Sequence, residues 1–286
     1  MFKKITSTVL VVLLFLSSFA FADEVINDNK VVCLGKNLSD AQKKDMLNLF
    51  GADENVEIVE VTNEEEREYL GKYIDEKILG TRAISSAYVE KLNEGEGISI
   101  VTHNISWVTE DMYKNALITA GIKDAKIIVA SPINVSGTAA LTGVIKAFED
   151  LTGEDITEKE KEVASEEIAK TAVLGNEIGA DKASELIENI KVNVVGNNLK
   201  GKRNIKKAVN AAADELGVEL TDDQVNEIVA LMKRISKLDL DLNVIKTQLK
   251  DISGKIDKIV AQNEEVKSLL GKIISFFEEL FSKLFG

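Results

Sequence analysis

Few side chains in this 286-residue chain can carry reaction chemistry near neutrality, because it holds one His, His103, and one Cys, Cys33. His103 is the residue whose charge changes most readily near pH 7. A nucleophilic centre would need Ser85, Ser86 or Cys33 within hydrogen-bond reach of it. Cys33 lies in Val31-Val32-Cys33-Leu34, an apolar strand pattern that suits a buried, inert thiol better than a nucleophile. One His and one Cys make no zinc site unless carboxylates supply most of the ligands. The expectation is no metal and no cofactor.

Three further spacings invite a reading. Gly196-Asn197-Asn198-Leu199-Lys200-Gly201-Lys202 has phosphate-loop spacing, but Arg203 stands where Ser or Thr must ligate magnesium. Asp239-x-Asp241-x-Asn243 begins like a calcium loop, yet Val244 replaces the turn Gly and Lys250 the bidentate Glu. Neither is retained. Asn134-Val135-Ser136-Gly137-Thr138 precedes a helical pattern, and its amides suit either an anion at a helix N-terminus or a simple Ser/Thr cap. With Arg82 and His103, these residues (Asn134, Ser136, Gly137, Thr138) form the candidate binding surface. The run Glu64-Glu65-Glu66 reads as solvated surface.

The N-terminus places the chain. Lys3 and Lys4 precede an apolar run from Val9 to Phe21, and Ala20-Phe21-Ala22 is a small-x-small cleavage site before Asp23. This is the layout of a secretory signal peptide over 1–22; an uncleaved membrane anchor, the alternative, needs a longer apolar run. Removing it leaves the remainder more acidic than the −13 of the whole chain, which disfavours nucleic acid as a partner. With one Cys no intrachain disulfide forms, so stability must come from packing.

The elements that would position these groups are mixed up to about residue 152. Val31–Leu34 is a first strand, and Ser39 with Gln42 is a capping box opening a helix that stops at Gly51. Val56–Thr62 alternates as a half-buried strand, and Asn63 with Glu66 repeats the capping pattern. Arg82–Lys91 and Ile98–Ile105 predict two strands of a hairpin joined by Asn93–Gly97. Thr109 caps a helix ended by Gly121. Ile127–Ala130 fits a strand covered on both faces, and Pro132 is expected to end its ladder. Thr138 opens the next helix. From Thr157 the strands stop: Thr157/Glu160 and Thr221/Gln224 are further capping boxes, and apolar stripes such as Ala183, Leu186, Ile187 and Ile190 mark amphipathic helices. The division expected is an α+β domain over 23–152, a helical region packed on it over 153–238, and a tail over 239–286.

The tail is a heptad pattern. Leu242, Leu249, Ile256, Asn263, Leu270, Phe277 and Leu284 recur every seven residues, with Ile245, Ile252, Ile259, Val266, Ile273 and Leu280 at the second seam position. Asn263 alone interrupts the seam, a device that sets register and partner number. The pattern predicts a coiled-coil helix and self-association through 242–284. Over 269–285 the apolar face widens, which suits either a multi-helix contact or an interfacial helix on a membrane surface.

Glu68-Tyr69-Leu70-Gly71-Lys72-Tyr73-Ile74, Gly80-Thr81-Arg82-Ala83-Ile84-Ser85-Ser86, Thr102-His103-Asn104-Ile105-Ser106 and Ser136-Gly137-Thr138-Ala139-Ala140-Leu141-Thr142-Gly143, in that order, resemble the YpuA-like family of secreted bacterial proteins (domain of unknown function family 1002). The resemblance runs from about residue 30 to about 238. It implies an exported protein with a mixed head and a helical middle, and it supplies no catalytic residue. The combined expectation is an exported, non-enzymatic binding or structural protein with a protein or cell-envelope partner. An envelope hydrolase using His103 with Ser85 or Ser86 is the alternative.

Overall fold

In a computed structural model, residues 29–241 apart from 53–54, together with Val244, are described. The leader and every residue of the heptad seam lie outside the described residues. Among those described are five strands and nine helices, an α+β arrangement.

The strands β1 (Lys30–Gly35), β2 (Glu57–Val61), β3 (Ser86–Lys91), β4 (Ile98–Ile105) and β5 (Ala125–Val135) form one sheet in the order β2-β1-β3-β5-β4. β1 pairs parallel with β2, β4 parallel with β5, and β3 runs antiparallel to both β1 and β5. The expected β3–β4 hairpin is therefore not formed: β5 is inserted between the two. The reason is burial. β5 carries Ile127 and Val129 on one face and Ala130 on the other, all within 1 % of full burial, so it needs an interior position. β4 alternates half-buried and exposed residues and tolerates the edge. Its link to β5 is the crossover helix α4 (Glu110–Thr119) that a parallel pair requires.

Two layers cover the sheet. Helix α1 (Asp40–Phe50), opened by the Ser39/Gln42 capping box and closed by left-handed Gly51, packs Met46 and Phe50 onto Val32, Leu34, Tyr88 and Ala130. The other face meets α4 and α5 (Thr138–Thr152), which bury Cys33, Val61, Val89, Leu117, Leu141 and Val144 together. Between β2 and β3 lie α2 (Asn63–Leu70) and the single turn α3 (Glu76–Leu79). Thr62 and Glu65, not Asn63 and Glu66, form the capping box of α2; the frame is one residue earlier because Asn63 and Glu66 are buried.

Beyond the sheet, α6 (Glu158–Ile178), α7 (Ala180–Gly196), α8 (Lys202–Glu215) and α9 (Asp222–Ile235) follow, with the Thr157/Glu160 and Thr221/Gln224 boxes in place. α6 packs on α4, α7, α9 and α2, so the helical region shares its core with the sheet layer. Two polar ties reinforce that packing. Arg234 of α9 donates to the Tyr73 hydroxyl at 3.1 Å and pairs with Glu162 and Glu166 of α6. Deeper in, Lys191 of α7 is wholly buried; its ammonium meets Glu167 at 2.9 Å, the Asn115 carbonyl at 2.7 Å and the Thr119 hydroxyl at 3.2 Å. Thr119 in turn donates to the other Glu167 oxygen. Every ammonium proton has an acceptor, which is what a charge in a dry interior requires.

Removing one partner of that pair strands the other. Lys191→Met should lower stability by about 3–5 kcal/mol, and adding Glu167→Leu should recover most of the loss; urea midpoints of the three proteins check this.

Candidate functional site

Because β1, β2, β5 and β4 run in one direction, their carboxyl ends lie at one margin of the sheet, the place where open sheets of this kind leave room for ligands. β3 starts from the same margin. The segments gathered there are Gly35–Leu38, Thr62–Glu66, Gly80–Ser85, His103–Ser106 and Ser131–Thr138.

Side chains lock these segments to one another. Glu66, 1 % exposed, accepts from the Thr138 hydroxyl at 2.5 Å and from the Asn63 amide at 2.9 Å. Arg67 donates to Asn63 at 2.8 Å and to the Gly80 carbonyl, and pairs with Glu76. The Tyr113 hydroxyl donates to the Gly137 carbonyl at 2.5 Å, and Ser136 and Thr138 share a hydroxyl contact at 3.0 Å. Burial raises the Glu66 carboxyl above its ordinary value, with the Thr138 and Asn63 hydrogen bonds acting against it. Burial likewise raises the Tyr113 phenol, with the Glu66 charge adding to the effect. The N-terminus of α5 thus has an internal carboxylate beside it. Gly137, at φ 96° and without a side-chain cap, must be Gly: a Cβ there would meet Ile105 and the Tyr113 hydroxyl at 2.5 Å.

Outside this network the strands part. β4 and β5 pair up to His103–Ala130 and rejoin at Ile105–Val135. Between those pairs β4 has one residue, Asn104, and β5 has four, Ser131 to Asn134. Asn104 adopts a left-handed conformation (φ 57°) and donates its amide to the Ser131 carbonyl at 2.9 Å. Pro132 lies in the excursion, where no ladder donor is needed; the ladder resumes beyond it, contrary to the expectation that Pro132 ends it. The excursion leaves Ile133 57 % exposed.

The predicted site residues fall into two groups. Arg82 is exposed and donates to the Asn37 carbonyl at 2.9 Å, while Asn37 accepts from the Ala83 amide. His103 and Asn134 are exposed on the same margin. Ser136, Gly137 and Thr138 are bound into the network just described. Ser85 is buried, and Ser86 is wholly buried with its hydroxyl accepting from the Gly35 amide at 3.1 Å. Ser86 and His103 both pair with Ala130, from opposite sides; two strand spacings, roughly 9–10 Å, separate their backbones. The inserted strand removes the hairpin neighbourhood that would have brought them together. Burial pushes the Cys33 thiol up to about 12, leaving it protonated and inert at neutral pH.

The phosphate-loop spacing at Gly196–Lys202 spans the turn from α7 into α8, not a strand-to-helix loop. Asp241 is paired with Lys123 at 2.7 Å. Among the described residues, no group of three or more His, Cys, Asp or Glu is placed to hold a metal, and no helix is long and apolar enough to cross a membrane. The sequence reading takes Glu66 as a capping partner of Asn63 and as part of a solvated acidic run, and misses its burial against Thr138.

Fold and margin together define an α+β protein with a five-stranded mixed sheet, a helical annex and an internally braced loop rim. The chain belongs to the family described as "Protein of unknown function (DUF1002)", whose pattern it matches over residues 34–252. It is 42 % identical over 275 residues to the "Uncharacterized protein YpuA" of Bacillus subtilis (strain 168), covering 96 % of this chain and 94 % of that protein. No solved structure matches it.

Two outcomes test the rim. Gly137→Ala should cost about 2 kcal/mol or more, from the left-handed backbone and the close contacts, measured by urea unfolding. For Glu66 the folded carboxyl titrates higher than the unfolded one, so the folded state holds the extra proton. Stability from this group is full below the unfolded value and falls as pH rises through the folded one. Glu66→Gln removes that loss, so the stability of this variant relative to the parent should grow between pH 4 and pH 7.

Proposed function

We propose that this protein is an exported binding or structural component of the cell envelope that works by holding a partner rather than by making or breaking bonds. The observation that carries this reading is the rim. Its loops are tied to one another by buried and part-buried hydrogen bonds, while Arg82, His103, Ile133 and Asn134 remain exposed upon it. A rigid margin bearing an exposed apolar residue among polar donors loses little conformational freedom on binding. Export is supported by the leader pattern of residues 1–22. The heptads of 242–284 add self-association to the proposal, and the widened apolar face of 269–285 a contact with a membrane surface or with further helices.

The test has two arms. Intact mass of the protein recovered from culture medium and envelope should place the mature N-terminus at Asp23. A photo-crosslinking residue at position 133 in intact cells should give an adduct of defined mass, and one at exposed Val173 on α6 should not. Turnover of a wall fragment by purified protein, lost in His103→Ala, would overturn the reading.

A further inference from the structure

β4 is an edge strand, and its outer margin is guarded. In the β4–β5 ladder the Gly97 carbonyl accepts from the Ala125 amide at 3.1 Å, so the odd-numbered peptide groups of β4 face β5. The groups of Ile98, Ile100 and Thr102 therefore point outward, where no strand stands among the described residues. The Thr102 amide shows this directly: it donates to the Glu110 carboxylate at 2.9 Å. A sheet edge with a carboxylate over one amide is a strand-addition site held closed by a side chain.

The surroundings select what would open it. Next to Thr102 lies a groove of ≈ 350 Å³ running from β4 to the start of α7. Its charged lining residues are Glu110, Asp111 and Asp181, with Ile105 and the half-buried Trp107 between them; no Lys or Arg lines it. Thr102 faces the groove side of the sheet. Val101, 45 % exposed, faces the opposite side, in the row that continues through Ile128. A strand added beside β4 would thus present alternate side chains to an acidic groove with an indole and to an apolar strip.

We infer that the outer edge of β4 binds an extended peptide segment of alternating basic and apolar residues, whose cations enter the groove at Glu110 and Asp181 while its backbone pairs with Ile100 and Thr102. A cation drawing off Glu110 releases the Thr102 amide to donate to the incoming carbonyl, so charge recognition and strand pairing are one event. This rests on the binding reading above and adds the partner's chemistry.

The probes are three fluorescein-labelled hexapeptide amides: alternating Lys-Val, alternating Glu-Val, and three Lys followed by three Val. Anisotropy with the full-length protein should show binding of the alternating Lys-Val peptide that weakens with salt, and at least tenfold weaker binding of the other two. Thr102→Pro removes an outward amide and no β5 ladder bond, and should weaken binding at least tenfold. Asp181→Lys, at an exposed position, should do the same; circular dichroism reports folding, and if Thr102→Pro does not fold the Asp181 variant decides. Equal binding of the Glu-Val peptide, or full affinity in Asp181→Lys, overturns the inference. So does a concentration-dependent dimer, seen by sedimentation, that Thr102→Pro abolishes while the peptide does not bind: the edge would then belong to a second copy. Absence of peptide binding with the adduct at position 133 intact sinks this inference alone; absence of both sinks the binding role as well.

Discussion

The position of β5 is the constraint on which the remaining architecture turns. A strand that is apolar on both faces loses about 25 cal/mol for every Å² of apolar surface left in water, so the run from Ile127 to Ala130 must lie inside the sheet. Placing it there forces β3 and β4 apart, since each takes one of its sides. It also makes β4 an edge strand, β2 being the other, with α4 as the crossover. The loop between β5 and α5 meets the end of β4 at the loop-bearing margin of the sheet because of this insertion, and the Ser86–His103 separation is its direct consequence.

A margin of loops has to satisfy its own polar groups, and Glu66 shows how this is done. Its carboxyl is desolvated, an unfavourable state that hydrogen bonds from Thr138 and Asn63 partly offset. The Thr138 bond joins α2 to α5 while the Asn63 bond holds the carboxyl from within α2, and Arg67, one residue on, reaches the Gly80 carbonyl and so fastens the loop entering β3. The same side of the chain continues outward: Tyr69 donates to Glu158 at 3.0 Å and Tyr73 accepts from Arg234. One short helix therefore connects the rim to the helical annex. Hydrogen bonds of this buried, charge-bearing kind are costly to leave unmade, which gives the rim a single arrangement rather than several.

How far this could be read from the sequence differed by the range of the interaction. Ser39/Gln42, Thr109, Thr157/Glu160 and Thr221/Gln224 are caps whose partners lie within three residues, and all four were legible. Asn63/Glu66 has the same spacing and misled by one residue, because the burial of both side chains is decided by Thr138 and Arg67, not by local pattern. A Gly-bearing loop between two strand-like runs looks like a hairpin whether or not a third strand enters between them; only the sheet decides. Glu167 and Lys191 were illegible for a similar reason. Glu167 follows Glu166 in a run that resembles a solvated face, Lys191 is a lone cation between Ile190 and Val192, and their pairing at 2.9 Å spans 24 residues. Of the candidate site, Arg82, His103 and Asn134 were named by residue type and are exposed on one margin, while the bracing beneath them depends on contacts that no spacing announces.

The edge left by this topology has its own consequence. An uncovered strand invites indiscriminate pairing, and proteins blunt such edges with charge or with covering elements. Here the device is Glu110, which lies in the first turn of α4, where the helix N-terminus favours a negative group, and which also takes the Thr102 amide. A carboxylate held from two sides resists neutral or acidic strands, because displacing it would strand its charge. A cationic strand supplies the replacement partner as it arrives. The feature that protects the edge from general aggregation is therefore the same one that grades its partners by charge, and no moving part beyond one side-chain rotation is needed.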